Sequence, residues 1–158
     1  MDWAEVIEHR SLRDLPFKIE TNRYGQIVMS PASNRHSLFQ GLILKQLSKK
    51  AGGTAMPECA ISTEEGVKVA DVAWASHEFL RQHLAEIAYS AAPELCVEVL
   101  SPSNSVEEID EKTRLYLQHG AIEVWICDGD GAMKFMNQSG ELERSELVPK
   151  FPLRVRIG

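Results

Sequence analysis

No stretch of this sequence approaches the ~20 consecutive apolar residues that a bilayer-spanning helix needs, so no membrane span is expected. The first residues, Met-Asp-Trp-Ala-Glu, lack the basic start and apolar block of an export leader, and a cytoplasmic protein is the expectation. Cysteine is scarce. Cys59, Cys96 and Cys127 are odd in number, widely spaced and set in apolar, strand-like surroundings, which fits reduced core thiols and not a disulfide or zinc framework. Positive charge is also short, with 17 Lys and Arg against 23 Asp and Glu and a net charge of −6. That balance weighs against a surface that grips phosphates everywhere. A nucleic-acid partner then requires the acids to lie away from the groove, or a bound cation to neutralise some of them.

What remains is ordinary globular material. The 158 residues are 44% hydrophobic and 25% charged, without repeats or low-complexity runs, which predicts one domain spanning residues 1–158. An amphipathic helix is expected over residues 3–15, stopped by Pro16. A hairpin follows, with strands at 17–20 and 26–29 and Gly25 free to take a positive φ in the turn. Ser33 or Asn34 caps a helix running to about Lys50, which ends at Gly52-Gly53. Strands at 56–62 and 67–75 precede a helix from Ser76 to about Ala85. The nearly unbroken apolar run at 94–100 reads as a strand buried on both faces. Ser105 caps a helix to Gln118, a strand occupies 122–127, and short strands alternate with turns thereafter. This order predicts an α/β (α+β) domain with one central mixed sheet flanked by helices.

Two residues break the apolar pattern. Glu98 sits in the middle of Leu-Cys-Val-Glu-Val-Leu, where burying a carboxylate costs several kcal/mol unless a partner compensates it. Asp71 stands likewise in Val67-Lys-Val-Ala-Asp-Val-Ala-Trp74, on the strand face shared with Val69 and Ala73. Either acid alone pairs as readily with an arginine or with solvent. Together they favour a shared hard divalent cation, because Mg²⁺ prefers oxygen ligands and keeps waters for chemistry.

The helix after Glu98 adds a third group. At 3.6 residues per turn, Val106, Ile109, Thr113 and Tyr116 form its inward stripe, and Lys112 lies at that stripe's edge, within reach of the Glu98 strand. An amine there can orient an attacking water or stabilise a phosphorane-like transition state. The competing reading is a lysine whose stem covers the rim of the core. His36 faces inward with Phe39, Ile43 and Leu47, a position that suits a structural histidine as well as a catalytic one. Glu20, ending the first hairpin strand, is a weaker candidate still, with plain solvation as its competing reading.

At these residues the sequence resembles the Uma-type family, a bacterial branch of the PD-(D/E)xK, restriction-endonuclease-like superfamily. The likeness runs through Phe17-Lys-Ile-Glu-Thr, Gly25-Gln-Ile-Val-Met-Ser-Pro, Arg35-His36 and Ala70-Asp-Val-Ala-Trp. Its most specific block extends from Pro93-Glu-Leu-Cys-Val-Glu-Val-Leu-Ser-Pro-Ser103, through Lys112 to Tyr116, to Gly120-Ala-Ile-Glu-Val-Trp-Ile-Cys-Asp128. The resemblance implies Asp71 as the motif aspartate and Glu98 as the second acid. It also implies Mg²⁺ or Mn²⁺ held with help from the Val99 carbonyl, and hydrolysis of a nucleic-acid backbone, with His36 and Glu20 near the site. Ala70 replaces the usual proline. Leu100 stands where the superfamily has lysine, and the family's lysine is expected on the following helix as Lys112.

Three functions are therefore weighed: a metal-dependent DNA endonuclease, a degenerate nuclease fold serving as a protein-interaction module, and a metal hydrolase of another phosphoester. A homodimer would suit the first, since two symmetric sites cut both strands of a duplex.

Overall fold

The computed structural model describes residues 1–158. Helix α1 (Trp3–Glu8) opens on a capping box, in which Asp2 and Glu5 each accept the other's backbone N–H. The helix expected to reach residue 15 ends here, because His9 adopts an extended conformation (ψ 116°), and only a single 3₁₀ turn, Arg10–Leu12, follows. Strands β1 (Phe17–Thr21) and β2 (Ile27–Pro31) form a separate antiparallel ribbon, with Gly25 at φ 73° in the turn. Helix α2 (Asn34–Leu47) takes Ser33 as its cap, the hydroxyl accepting the His36 N–H.

Next come β3 (Gly53–Thr63), β4 (Gly66–Ser76), α3 (His77–His83), β5 (Leu95–Val99), α4 (Val106–Gln118), β6 (Glu123–Cys127), β7 (Met133–Asn137) and β8 (Gly140–Leu142). Six strands make one sheet in sequence order, antiparallel throughout except for the parallel β5–β6 pair. The α4 crossover between those two strands is what a parallel pair demands.

The sheet is a mixed one, flanked by helices, as the element order predicts. Phe39, Ile43 and Leu47 of α2 pack with Val72, Val97 and Trp125 on one face. Ile109 and Tyr116 of α4 pack with Ala73, Cys96 and Val124 on the other. The three cysteines are free and buried, and burial pushes the thiols of Cys59 and Cys127 up to about 12. No helix is long and apolar enough to cross a membrane.

Two details place the site. The β1–β2 ribbon leans over β4, where the Thr21 hydroxyl accepts the Val67 N–H (2.8 Å) and the Thr21 carbonyl accepts from Lys68 Nζ (3.2 Å). Gly66, at φ 96°, allows that approach, since a Cβ there would overlap the Thr21 carbonyl. Further along, the β3–β4 ladder skips Glu58, which turns out of the strand at φ 53° opposite Asp71. Gln40 of α2 occupies the gap, donating from Nε2 to the Asp71 carbonyl (2.7 Å) and to Glu58 Oε1 (2.7 Å).

Candidate active site

Asp71 and Glu98 come from adjacent antiparallel strands, one step beyond the last paired residues, Val72 and Val97. Both side chains are buried, at 1% and 2% exposure, yet both reach the floor of a cleft of about 370 Å³. Their oxygens do not touch. Lys18 of β1 stands between them, its Nζ 3.1 Å from Asp71 Oδ1 and 3.1 Å from Glu98 Oε2. A single ammonium thus bridges two carboxylates.

The remaining oxygens are also engaged. Asp71 Oδ2 accepts the Val99 N–H at 2.7 Å and lies 3.2 Å from His36 Nε2. Glu98 Oε1 accepts the Tyr116 hydroxyl at 2.7 Å and lies 3.4 Å from Lys112 Nζ. Lys112 in turn lies 2.7 Å from Glu20 Oε2, which also accepts the Val69 N–H at 2.7 Å. Charge therefore alternates along one chain: Asp71, Lys18, Glu98, Lys112, Glu20. Each acid is flanked by a cation, which is how five charges tolerate an interior where an unpaired one would cost several kcal/mol.

The two metal-ligand candidates end with their acidities shifted in opposite directions. Burial pushes Glu98 up to about 7, against the attraction of Lys112 and Lys18 and with the repulsion of Asp71. Burial acts in the same sense on Asp71 but is outweighed by the His36 hydrogen bond, by the Lys18 and His36 charges and by the Val99 N–H, so its carboxyl is held well below the usual range. The hydrogen bond to Asp71 raises His36, with burial opposing. Desolvation lowers Lys18, but Glu98, Asp71 and Glu20 together raise it further, leaving it firmly charged.

All of the residues singled out in the sequence converge here. Asp71, Glu98, Lys112 and His36 share the cleft, and Val99 binds Asp71 through its N–H. Two expectations need correction. The solvated alternative for Glu20 fails, since it is 3% exposed: the ribbon folds β1 onto β4 and carries the carboxylate inward, beside the site. On α4 the buried stripe is Ile109, Lys112, Leu115 and Tyr116. Val106 is 72% exposed and Thr113 half-buried, since the face that packs on the sheet is centred on Ile109, Lys112 and Tyr116, and both residues lie off it.

Lys18 and Tyr116 were missed as site residues. A period-2 reading of Phe17-Lys-Ile-Glu20 puts Lys18 and Glu20 on one strand face, a charged pair that could have flagged both. Tyr116 follows Lys112 by one helical turn, so its hydroxyl reaches the same acid.

His, Cys, Asp and Glu side chains do not group in threes anywhere as a metal cluster. The centre instead offers two acids of hard-oxygen character with a cation already lodged between them, and a buried His36 Nδ1 without a hydrogen-bond partner. An ammonium already fills the gap between the two carboxylates, and oxygen donors of this kind suit a hard divalent cation.

The sequence profile of the Uma2 family, described as "Putative restriction endonuclease", matches residues 8–150. The chain belongs to the Uma2 family. No curated protein matches it in sequence. Among solved structures, it is similar to a protein described as a "putative nuclease belonging to DUF820" from Anabaena variabilis ATCC 29413. The TM-score is 0.65 at 17% identity, over 78% of this chain and 74% of that one. At that identity the likeness concerns the fold, and the Uma2 chain described here has a nuclease-like one.

Proposed function

We propose that this Uma2 protein is a metal-dependent endonuclease that hydrolyses phosphodiester bonds of DNA. The observation that carries the reading is the pair of buried carboxylates, Asp71 and Glu98, presented at a cleft floor with one cation between them. Asp71 and Glu98, with the Val99 carbonyl, are the groups that would hold Mg²⁺ or Mn²⁺. Such an ion, when bound, acidifies a water and stabilises charge developing on a phosphate oxygen.

The protein's own groups have separable tasks. Tyr116 and Lys112 fix one oxygen of Glu98, and His36 with the Val99 N–H fixes one of Asp71, which leaves Asp71 Oδ1 and Glu98 Oε2 facing the gap. Lys18 fills that gap and opposes the protonation that burial favours at Glu98. Its flexible four-carbon stem lets the amine turn to the cleft and donate to a phosphate oxygen or orient a water. Lys112, held between Glu98 and Glu20, is the more rigid amine and the better placed to keep Glu98 in position.

The test is plasmid nicking by purified protein with Mg²⁺ or Mn²⁺. Wild type should nick, and Glu98→Ala should reduce the rate by at least about 10²-fold, the scale expected when an electrostatic stabiliser is lost. Equal nicking by wild type and Glu98→Ala would refute the proposal. The second reading, a degenerate nuclease fold serving as an interaction module, is favoured by one observation: Lys18 already neutralises the two acids. It predicts no Mn²⁺ binding by the wild-type protein.

A further inference from the structure

The chain's 23 acids are unevenly spread, and residues 21–57 contain none, although they carry Arg23, Arg35, Lys45, Lys49 and Lys50. Helix α2 lies within that segment. Its first turn places Ser37 at the rim of the active-site cleft. One ridge of exposed positions, spaced four residues apart, then leads from Ser37 through Gly41 to Lys45 and on to Lys49. At its far end a groove of about 780 Å³ gathers Lys45, Lys49, Lys50 and Lys150, with no acid among its lining residues. None of these four lysines takes part in an ion pair. Only Lys50 is occupied, donating to the Leu147 carbonyl at 3.0 Å and lying over the Trp74 ring.

A chain with a net charge of −6 that keeps acids out of this groove, and collects unpaired lysines in it, has a surface suited to a polyanion. Glu58 and Asp130 meet α2 only near its cleft end, at Gln40 and Arg35. The ridge connects that surface to the catalytic cleft. Ser37 and Lys45 are ~12 Å apart along the helix at 1.5 Å per residue. That span corresponds to about three to four base pairs of duplex at 3.4 Å each.

We propose that the exposed ridge of α2, with Lys45, Lys49 and Lys150, is the track that binds the nucleic-acid backbone on one side of the scissile phosphate. The proposal rests on the nuclease reading and names where that substrate lies. The track supplies affinity without sequence preference, since lysine meets phosphates as a point charge. It also accounts for how an acidic protein can hold an anionic substrate: no acid lines the groove where the lysines gather.

Binding of a labelled DNA duplex, measured by fluorescence anisotropy in EDTA so that no cutting intervenes, provides the test. The Lys45→Ala/Lys49→Ala/Lys150→Ala variant should bind at least tenfold more weakly than wild type at moderate salt. The slope of log affinity against log salt should flatten by about 0.9 for each phosphate that the variant no longer neutralises. Gly41→Glu is an independent probe, because a Cβ at Gly41 meets nothing within 4 Å and glutamate favours helix over glycine. It should weaken binding while leaving the melting temperature equal or higher. If wild type binds the duplex and both variants match it in affinity and slope, the track is wrong and the nuclease reading stands. If wild type binds no duplex, the track is wrong and plasmid nicking decides the nuclease reading separately; capture of polyglutamate through these lysines would then assign the groove to an acidic protein.

Discussion

Glu20 Oε2 lies 2.7 Å from Lys112 Nζ, a buried ion pair that ties the β1–β2 ribbon to α4. Through Lys112 the same pairing reaches Glu98, so a residue of the outlying ribbon helps fix a candidate metal ligand. Glu20→Ala would leave Lys112 with Glu98 as its remaining partner and the Val69 N–H without its acceptor. Breaking a buried pair by removing one member costs about 3–5 kcal/mol. Urea unfolding should show a loss of that order, and a much larger loss than Glu65→Ala, whose partner Arg23 is exposed, should produce.

In the metal-dependent centre proposed above, Lys18 and the inorganic cation would compete for one gap. Lys18→Met removes the competitor while keeping the apolar stem, so Mn²⁺ affinity measured by calorimetry should tighten by about tenfold, equivalent to ~1.4 kcal/mol. Nicking should nevertheless fall, because the mobile amine is gone. Unchanged affinity would show that Lys18 does not occupy the cation's place.

The metal-free protein should respond to pH through the same acids. Glu98 has a folded pKa of about 7 against 4.5 for a free glutamate, so its contribution to stability is complete below 4.5 and disappears as pH rises through 7. Asp71 acts oppositely: its depressed pKa adds stability above 3.8, which fades only in stronger acid. In EDTA the melting temperature of wild type should therefore decline between pH 4.5 and 7 more steeply than that of Glu98→Gln. Parallel curves for the two proteins would contradict the assignment.

A second buried acid has a structural task. Glu123 on β6 accepts from Trp125 Nε1 and the Ser145 hydroxyl at 2.7 Å each, and from the backbone N–H groups of Glu146 and Leu147 at 2.7 and 2.9 Å. Four donors replace a counter-charge and clamp the segment after β8 against the sheet. Glu123→Ala should cost about 3 kcal/mol through the orphaned donors. Amide exchange should accelerate first at Glu146 and Leu147, while Mn²⁺ affinity stays unchanged.

The sequence exposed Asp71 and Glu98 because a charge inside an apolar strand has no cheap local explanation. Helical spacing brought Lys112 into range in the same way. Glu20 and Lys18 were harder to see, since β1 is short and its two charged residues look like the wet face of an edge ribbon. Only the docking of that ribbon on β4, permitted by the bare backbone at Gly66, turns the face inward. The same limit applies to α1, whose apolar spacing continued past the point where His9 leaves the helix. Periodicity reports a residue's side of its own element, and the partner arriving from elsewhere in the chain decides whether that side is buried.

A crystal soaked with Mn²⁺ and measured at the manganese edge would probe the gap itself. Anomalous density between Asp71 Oδ1 and Glu98 Oε2, with the Lys18 amine displaced toward the cleft, is the expected result. Lys18 still bridging both carboxylates at saturating Mn²⁺, with no density there, would contradict a metal-dependent centre in this protein.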